Sequence, residues 1–225
     1  MTLHFLREMD RLNVRLVKIG NQIETQVTNA FQAVTELDEA AARRVIEGDI
    51  EIDDNEIQME EECLKLLALY QPVANDLRFI VAVLKINTDL ERIGDHAKNM
   101  AEAAIKLSAS PAVELPESLH TIYKQSRLML RQALLAFVEA DRELAEKVLK
   151  MDDEVDKLCS AELPRQVELI KNHPEDASQR LMLLSVCRQL ERIGDHASNI
   201  AEDVVYLLSG DIIRHGENEA MKSRG

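Results

Sequence analysis

Pairs of acidic residues recur at helical spacing in this sequence. The heptamer ERIGDHA begins at Glu91 and again at Glu191, and each copy has an aspartate four residues after its glutamate. The stretches DIEID and DDEVD contain two further pairs with the same spacing. Because residues four apart lie side by side on a helix, each pair places two carboxylates on one face. The eight candidate metal ligands are Asp49, Asp53, Glu91, Asp95, Asp152, Asp156, Glu191 and Asp195.

Two explanations fit these carboxylate pairs. Like charges four residues apart destabilise a helix by roughly 0.2–0.5 kcal/mol, and burial without a partner costs more. A bound cation or neighbouring arginines should therefore offset the charge. Carboxylate oxygens suit hard ions such as magnesium, calcium, manganese and iron, and adjacent helices can supply four or more oxygens. The pattern leaves open a metal site in each half and a purely structural bundle with arginine counterions.

Other polar residues near the pairs are candidates for supporting roles. Amides lie one turn beyond the heptamer aspartates, and a glutamate follows on each helix. The residues that could hydrogen-bond to a ligand or add an oxygen are Asn99, Asn199, Glu102 and Glu202. His96 and His196 point to another side of the helix, which predicts surface, capping or supporting positions. Gly94 and Gly194 each cost a helix about 1 kcal/mol relative to alanine, which predicts close packing of a partner helix.

The elements that position these residues form a tandem repeat. The heptamer match extends through ERIGDHAKNMAEAAIKL and ERIGDHASNIAEDVVYL, and a block from Ala30 matches one from Ala133. Prolines and small residues in SASPAVELPES mark the junction between the copies. Apolar residues recur at helical spacing, and Pro72 and Pro174 are predicted to begin the third helix of each half. In the first half the predicted helices cover roughly residues 3–35, 39–70 and 72–109.

The predicted fold is all-α, a tandem repeat of two antiparallel three-helix bundles with six long helices. The third helix of the first half carries an apolar stripe. Its members are Leu77, Val83, Ile86, Leu90, Ile93, Ala97, Met100 and Ala104. The predicted division is a first bundle in residues 1–110, a second in residues 111–215 and a polar tail in residues 216–225.

Composition and charge restrict the function. The formal net charge of −14 opposes non-specific binding to nucleic acid or to anionic membranes. Three cysteines without a Cys-x-x-Cys pair predict reduced thiols rather than a disulfide framework or a zinc site. The opening MTLHFLREMD is not typical of a signal peptide, and FIVAVL is too short to span a membrane. We therefore expect a cytoplasmic protein.

Catalytic signatures are missing from the sequence. It contains no phosphate-binding glycine loop, no Gly-x-Ser-x-Gly and no His-Glu-x-x-His. The spacing Glu-x-x-x-Asp-His also differs from the Glu-x-x-His of ferritin-like iron proteins. A non-enzymatic role is therefore expected. The alternative is a metal-dependent phosphoesterase or polyphosphate-acting enzyme, because clustered carboxylates can hold two metals for in-line displacement.

Three stretches resemble the PhoU family of phosphate-signalling proteins. They are HFLREMDRLNVRLVKIGNQIETQVTNAFQAV, QPVANDLRFIVAVLKINTDLERIGDHAKNMAE and ERIGDHASNIAEDVVYLLSGDIIRH. The resemblance covers residues 2–215. It implies paired three-helix bundles, each with a multinuclear metal site in some members, and it assigns these sites to the eight carboxylates named above. The metal could be iron, zinc, manganese or magnesium.

The resemblance also implies a function and partners. Members act as negative regulators of the phosphate-starvation (Pho) response and restrain phosphate uptake. They connect the ATPase of the phosphate ABC transporter (PstB) to the sensor histidine kinase (PhoR) when phosphate is plentiful. A homodimer, and membrane association only through these partners, are further expectations from the family.

One departure between the two copies concerns partner binding. The first copy enters its third helix through PVANDLRF, whereas the second has HPEDASQRL. Asp76 and Arg78 are therefore possible partner-binding residues of the first copy. Asp176 matches the aspartate, but Ser178 does not match the arginine. We expect the two bundles to differ in what they bind.

Overall fold

The computed structural model describes residues 3–210, and six long α-helices account for most of that range. Their bounds are α1 Leu3–Glu36, α2 Glu39–Tyr70, α3 Ala74–Ser108, α4 Glu117–Glu139, α5 Arg142–Asn172 and α6 Ala177–Ser209. The described residues contain no strand, which confirms the all-α prediction. Across the same residues, no helix is both long and apolar enough to cross a bilayer. The predicted tail at 216–225 lies outside the described residues.

The helices form two three-helix bundles, and the central helix of one bundle packs against the central helix of the other. α1 and α2 pack on α3, α4 and α5 pack on α6, and α3 and α6 pack on each other. α1 also contacts α4. This arrangement confirms the predicted tandem repeat of three-helix bundles. One continuous cluster of buried apolar side chains runs through both bundles, so the division into domains at residues 110 and 111 stays a prediction.

The apolar stripe of α3 is buried along most of its predicted length. Every predicted position from Val83 to Ala104 is fully buried. Burying a leucine or isoleucine side chain contributes about 1.5–3 kcal/mol, so this stripe is a main source of stability. Leu77, in the first turn, is 40% exposed. Periodicity identifies the face of a helix, but it does not show how far the neighbouring helices extend along that face.

The first two helices of each bundle are joined by the same tight connection. Leu37 and Ala140 adopt positive φ angles of 53° and 51°. The aspartate that follows, Asp38 or Asp141, caps the next helix by accepting a hydrogen bond from the backbone N–H three residues later, at 2.9 and 3.0 Å. The connection explains why these aspartates fall in register in the two copies.

The structure corrects the predicted start of the third helix in the first bundle. Gln71 ends α2 in the left-handed conformation and Val73 is extended. Pro72 therefore lies in a linker, and α3 begins two residues later, at Ala74. In the second bundle, Pro174 opens a short 3₁₀ turn that precedes α6.

Ala140→Gly is expected to raise the free energy of unfolding by roughly 0.5–1 kcal/mol, because glycine adopts a positive φ without the steric cost of a Cβ. The matched control is Ala161→Gly at an exposed position within α5, which should lower it by about 1 kcal/mol. Urea unfolding followed by circular dichroism measures both changes. An Ala140→Gly protein less stable than the parent would contradict the assigned backbone conformation.

Candidate functional site

The first acidic cluster lies between α2 and α3 and consists of Asp49, Asp53, Glu91 and Asp95. Asp49 is 3% exposed, Glu91 and Asp95 are half-buried, and Asp53 is exposed. Although Asp53 is exposed as a whole, desolvation of its carboxyl group by the surrounding protein raises its pKa, and the charges of Asp49 and Asp95 raise it further. Burial also raises the pKa of Glu91, with added repulsion from Asp95 and Asp53. Carboxylates from both helices therefore act on one another, as their spacing predicts.

The second acidic cluster repeats this arrangement between α5 and α6. It consists of Asp152, Asp156, Glu191 and Asp195. Burial raises the pKa of Glu191, and the charges of Asp156 and Asp195 raise it further. An arginine contributes positive charge, since Nη1 of Arg192 lies 3.2 Å from Oδ2 of Asp195. In the first cluster Nε of Arg92 lies 3.5 Å from Oε2 of Glu91, so both clusters contain an ion pair of the kind expected for a structural bundle.

Each heptamer glycine lies next to an aspartate of the preceding helix, the buried Asp49 in the first copy and the half-buried Asp152 in the second. A Cβ added at Gly94 would be 3.7 Å from Oδ1 of Asp49, and one at Gly194 would be 3.7 Å from Oδ1 of Asp152. At Gly94 the same position is 3.4 Å from side-chain carbons of Ile23 on α1 and Ile52 on α2. At both positions an added Cβ would make ordinary van der Waals contacts, so the packing does not require glycine there.

A lysine meets the most buried carboxylate of the first cluster. Nζ of Lys98, on α3, lies 2.7 Å from Oδ2 of Asp49, and this hydrogen bond raises the pKa of Lys98. The sequence pattern predicts arginine counterions, whereas Asp49 has a lysine. The corresponding position in the second copy is Ser198, whose buried hydroxyl has no hydrogen-bond partner among the described residues.

The donor chemistry of the clusters suits a hard cation, but the structure does not show a coordination sphere. Within residues 3–210, no group of three or more His, Cys, Asp or Glu side chains is placed to hold one metal ion. Thiolates are not alternative ligands, because Cys63, Cys159 and Cys187 are free and buried. Burial raises the pKa of Cys63 to about 12, so its thiol keeps its proton at neutral pH. A metal at the clusters would be held by carboxylate oxygens.

The heptamer histidines lie between the two bundles. The ring centroids of His96 and His196 are 5.3 Å apart. Nδ1 of His196 is 2.8 Å from a carboxylate oxygen of Asp89 on α3, and Nδ1 of His96 is 2.8 Å from the amide oxygen of Gln189 on α6. Burial lowers the pKa of His96. The expectation of surface or capping positions is therefore wrong. Each histidine lies on the face of its helix, α3 or α6, that packs against the other of these two helices.

Two of the four residues expected to support the metal ligands form hydrogen bonds at the α3–α6 interface. Asn99 and Asn199 donate hydrogen bonds across the α3–α6 interface, at 3.4 and 3.1 Å, to the same two acceptors that the histidines contact. Glu102 is exposed and Glu202 is half-buried. Their supporting role stays a prediction. The shared acceptors, Asp89 and Gln189, were not predicted, since the two copies carry different residues at that position.

The predicted partner-binding residues Asp76 and Arg78 line a cleft of about 430 Å³ between the start of α3, α1 and the end of α6. The guanidinium of Arg78 donates to Asn75 and lies 3.3 Å from the position that a Cβ on Gly210 would take. Nε of Arg78 is buried and has no hydrogen-bond partner among the described residues. This Nε is enclosed by the protein, so a partner in the cleft would contact other parts of the Arg78 side chain.

A buried polar network in the second bundle was not predicted. Glu162 on α5 accepts hydrogen bonds from Ser118 at 2.6 Å and from Gln166 at 2.5 Å. Arg180 on α6 lies 3.5 Å from Gln166. The four-residue spacing of Glu162 and Gln166 is common on exposed helix faces, so the sequence alone gives no sign of their burial.

Comparisons with known proteins agree with this architecture. The sequence profile described as the PhoU domain matches residues 16–104 and 119–204, one match in each repeat. A PhoU homologue of Pseudomonas putida, named a phosphate-specific transport system accessory protein, is 38% identical over 94% of this chain and 83% of its own length. The crystal structure of PhoU from Pseudomonas aeruginosa has a TM-score of 0.88 at 38% identity, covering 92% of this chain and all of that chain. A phosphate transport system regulatory protein PhoU from Streptococcus pneumoniae has a TM-score of 0.88 at 29% identity, covering 93% and 99%.

Glu191→Gln is expected to raise the free energy of unfolding of the metal-free protein at pH 7 by roughly 0.2–0.5 kcal/mol, the size of a helical like-charge repulsion. The folded-state pKa of Glu191 is raised, so its contribution to stability is fully present below its unfolded pKa and is lost as the pH rises through its folded pKa. The gain from the uncharged amide should therefore disappear near pH 4.

Urea unfolding at pH 7 and pH 4 tests this prediction. The control is Glu154→Gln, which removes one charge from an exposed position on α5. If both variants gain the same stability, or if the gain at Glu191 persists at pH 4, the proposed repulsion is not the cause.

Proposed function

This chain belongs to the PhoU family, and we propose that it is an accessory regulator of phosphate-specific transport. In this proposal it is a negative regulator of the phosphate-starvation response and of phosphate uptake. It acts as an adaptor between the transporter ATPase (PstB) and the sensor histidine kinase (PhoR). The observation that carries the proposal is the PhoU match in both repeats, together with relatives named as accessory proteins of the phosphate-specific transport system.

The two acidic clusters are the proposed cation sites of this regulator. The proposed ligands are Asp49, Asp53, Glu91 and Asp95 in the first cluster and Asp152, Asp156, Glu191 and Asp195 in the second. A bound cation would supply positive charge that offsets carboxylate repulsion and ties α2 to α3 and α5 to α6. An all-oxygen donor set favours magnesium, manganese or iron over zinc, which prefers nitrogen and sulfur ligands.

The cleft at Asp76 and Arg78 is the proposed contact for a protein partner. The guanidinium of Arg78 lines the cleft and could donate a hydrogen bond to a carboxylate or carbonyl oxygen of the partner. The corresponding position of the second repeat is Ser178, so the contact would be specific to the first bundle. A homodimer and a cytoplasmic location complete the proposal. Exposed apolar side chains at seven-residue spacing on α2, namely Ile50, Ile57 and Leu64, support contact with another chain.

Arg78→Ala is expected to weaken binding to the ATPase or to the kinase by about tenfold or more, since a hydrogen bond to a charged group contributes roughly 1.5–3 kcal/mol. Pull-down and biolayer interferometry with each purified partner, with and without phosphate, measure the change. The control is Arg131→Ala, which removes an exposed arginine from α4. Binding of neither partner by the parent protein in any phosphate condition would contradict the adaptor role.

Manganese is expected to raise the thermal midpoint of EDTA-treated protein, because a ligand at one hundred times its Kd adds about 2.7 kcal/mol to stability. Combined Asp53→Asn and Asp156→Asn should reduce the shift, whereas Glu154→Gln should not. Elemental analysis without stoichiometric metal, and no shift with magnesium, manganese, iron or zinc, would favour the purely structural bundle. Turnover of a phosphate ester that Asp95→Asn abolishes would favour the enzyme instead.

A further inference from the structure

We propose that Lys98 is a built-in competitor for the cation of the first acidic cluster. In this view the ammonium of Lys98 and a metal ion exclude each other, and metal binding releases the lysine to solvent. The inference rests on the cation sites proposed above, and it adds that the two repeats differ in how they control access to those sites.

The position of Lys98 on α3 places its ammonium in the cluster. Lys98 lies three residues after Asp95 and seven after Glu91, so all three side chains share one face of the helix. Its Nζ reaches across to α2 and contacts Oδ2 of Asp49 at 2.7 Å. Asp49 is the most buried carboxylate of the cluster. The charge of the most buried carboxylate is thus already neutralised by a lysine of the same chain.

A lysine and a divalent cation cannot share this carboxylate without strong repulsion. Like charges at contact distance repel most where nearby protein limits the screening by water, as it does at the buried Asp49. The Lys98 side chain is 34% exposed and has a flexible four-carbon stem. It can therefore move into water while α3 stays in place. The cluster then has two states, with either the ammonium or the metal on Asp49.

The second repeat lacks this competitor. Ser198 occupies the corresponding position and cannot supply a positive charge. Its hydroxyl is buried without a hydrogen-bond partner in the part of the chain that the structure describes. The competition by a lysine is therefore confined to the first cluster, although the heptamer ERIGDHA is identical in both copies.

The competition has a measurable consequence for affinity. When a site is open for only a fraction of the time, the apparent Kd equals the intrinsic Kd divided by that fraction. Removing the lysine should therefore tighten metal binding at the first cluster by at least about tenfold. Binding should also expose Lys98 to reagents that it resists in the metal-free protein.

Titration of full-length protein with Mn²⁺ by isothermal calorimetry tests the affinity. A Glu191→Gln/Asp195→Asn background removes ligands of the second cluster, so the heat reports the first cluster. Lys98→Ser, which copies the second repeat, should lower the Kd for Mn²⁺ at least tenfold, and Lys98→Arg should leave it nearly unchanged. In the otherwise intact chain, Ser198→Lys should weaken binding at the second cluster.

A labelling experiment on the unsubstituted protein gives an independent readout. Mn²⁺ should accelerate acetylation of Lys98 by acetic anhydride at least severalfold, measured by mass spectrometry. Acetylation of Lys106, exposed on the same helix, is the control and should not change. This arm remains informative if Lys98→Ser does not fold, because it needs no substitution.

The possible outcomes separate this inference from the proposed function. If the parent binds Mn²⁺ but Lys98→Ser has the same Kd, or Lys98 labelling does not respond, Lys98 is a structural counterion and the competition is disproved. If neither the parent nor Lys98→Ser binds Mn²⁺, the proposed cation sites fail together with the inference. Weaker binding in Lys98→Ser would also overturn it.

Discussion

The packing of α3 against α6 is the constraint on which the other features of the molecule depend. Each bundle uses its third helix as the centre, and the two centres contact each other. Apolar burial supplies most of the stability, since each buried leucine or isoleucine contributes more than a typical exposed ion pair. Polar pairs within the interface set the alignment of the helices. A shift along the axis would leave buried groups such as Asp203 without their partners, and that is costly.

These polar pairs run along the interface and involve both central helices. Lys85 on α3 contacts Asp203 on α6 at 2.6 Å. Burial raises the pKa of Asp203, and the lysine opposes that rise. Further along, His196 and Asn199 of α6 both contact Asp89 of α3. The histidine and the asparagine of the repeated motif thus make polar contacts between the two bundles.

The same packing determines where the acidic residues can lie. α3 packs against α1, α2 and α6, and charges on both α2 and α3 help to raise the pKa values of Asp53 and Glu91. The duplicated chain repeats this geometry on α6. The lysine counterion is not repeated, because Lys98 contacts the buried aspartate of the first cluster while the second repeat has a serine at that position. Identical heptamers therefore lie in different electrostatic surroundings.

The sequence by itself determined the features that depend on local periodicity. Apolar spacing predicted the six helices and the buried face of α3, and duplication predicted the matching of Asp38 with Asp141. The four-residue spacing also predicted that carboxylates would lie side by side. Interactions between distant segments were decided only by the tertiary structure. The histidine partners Asp89 and Gln189 and the burial of Glu162 are examples. They depend on which helix covers which face. Helical periodicity identifies the apolar face of a helix, but it does not show which other helix packs on that face.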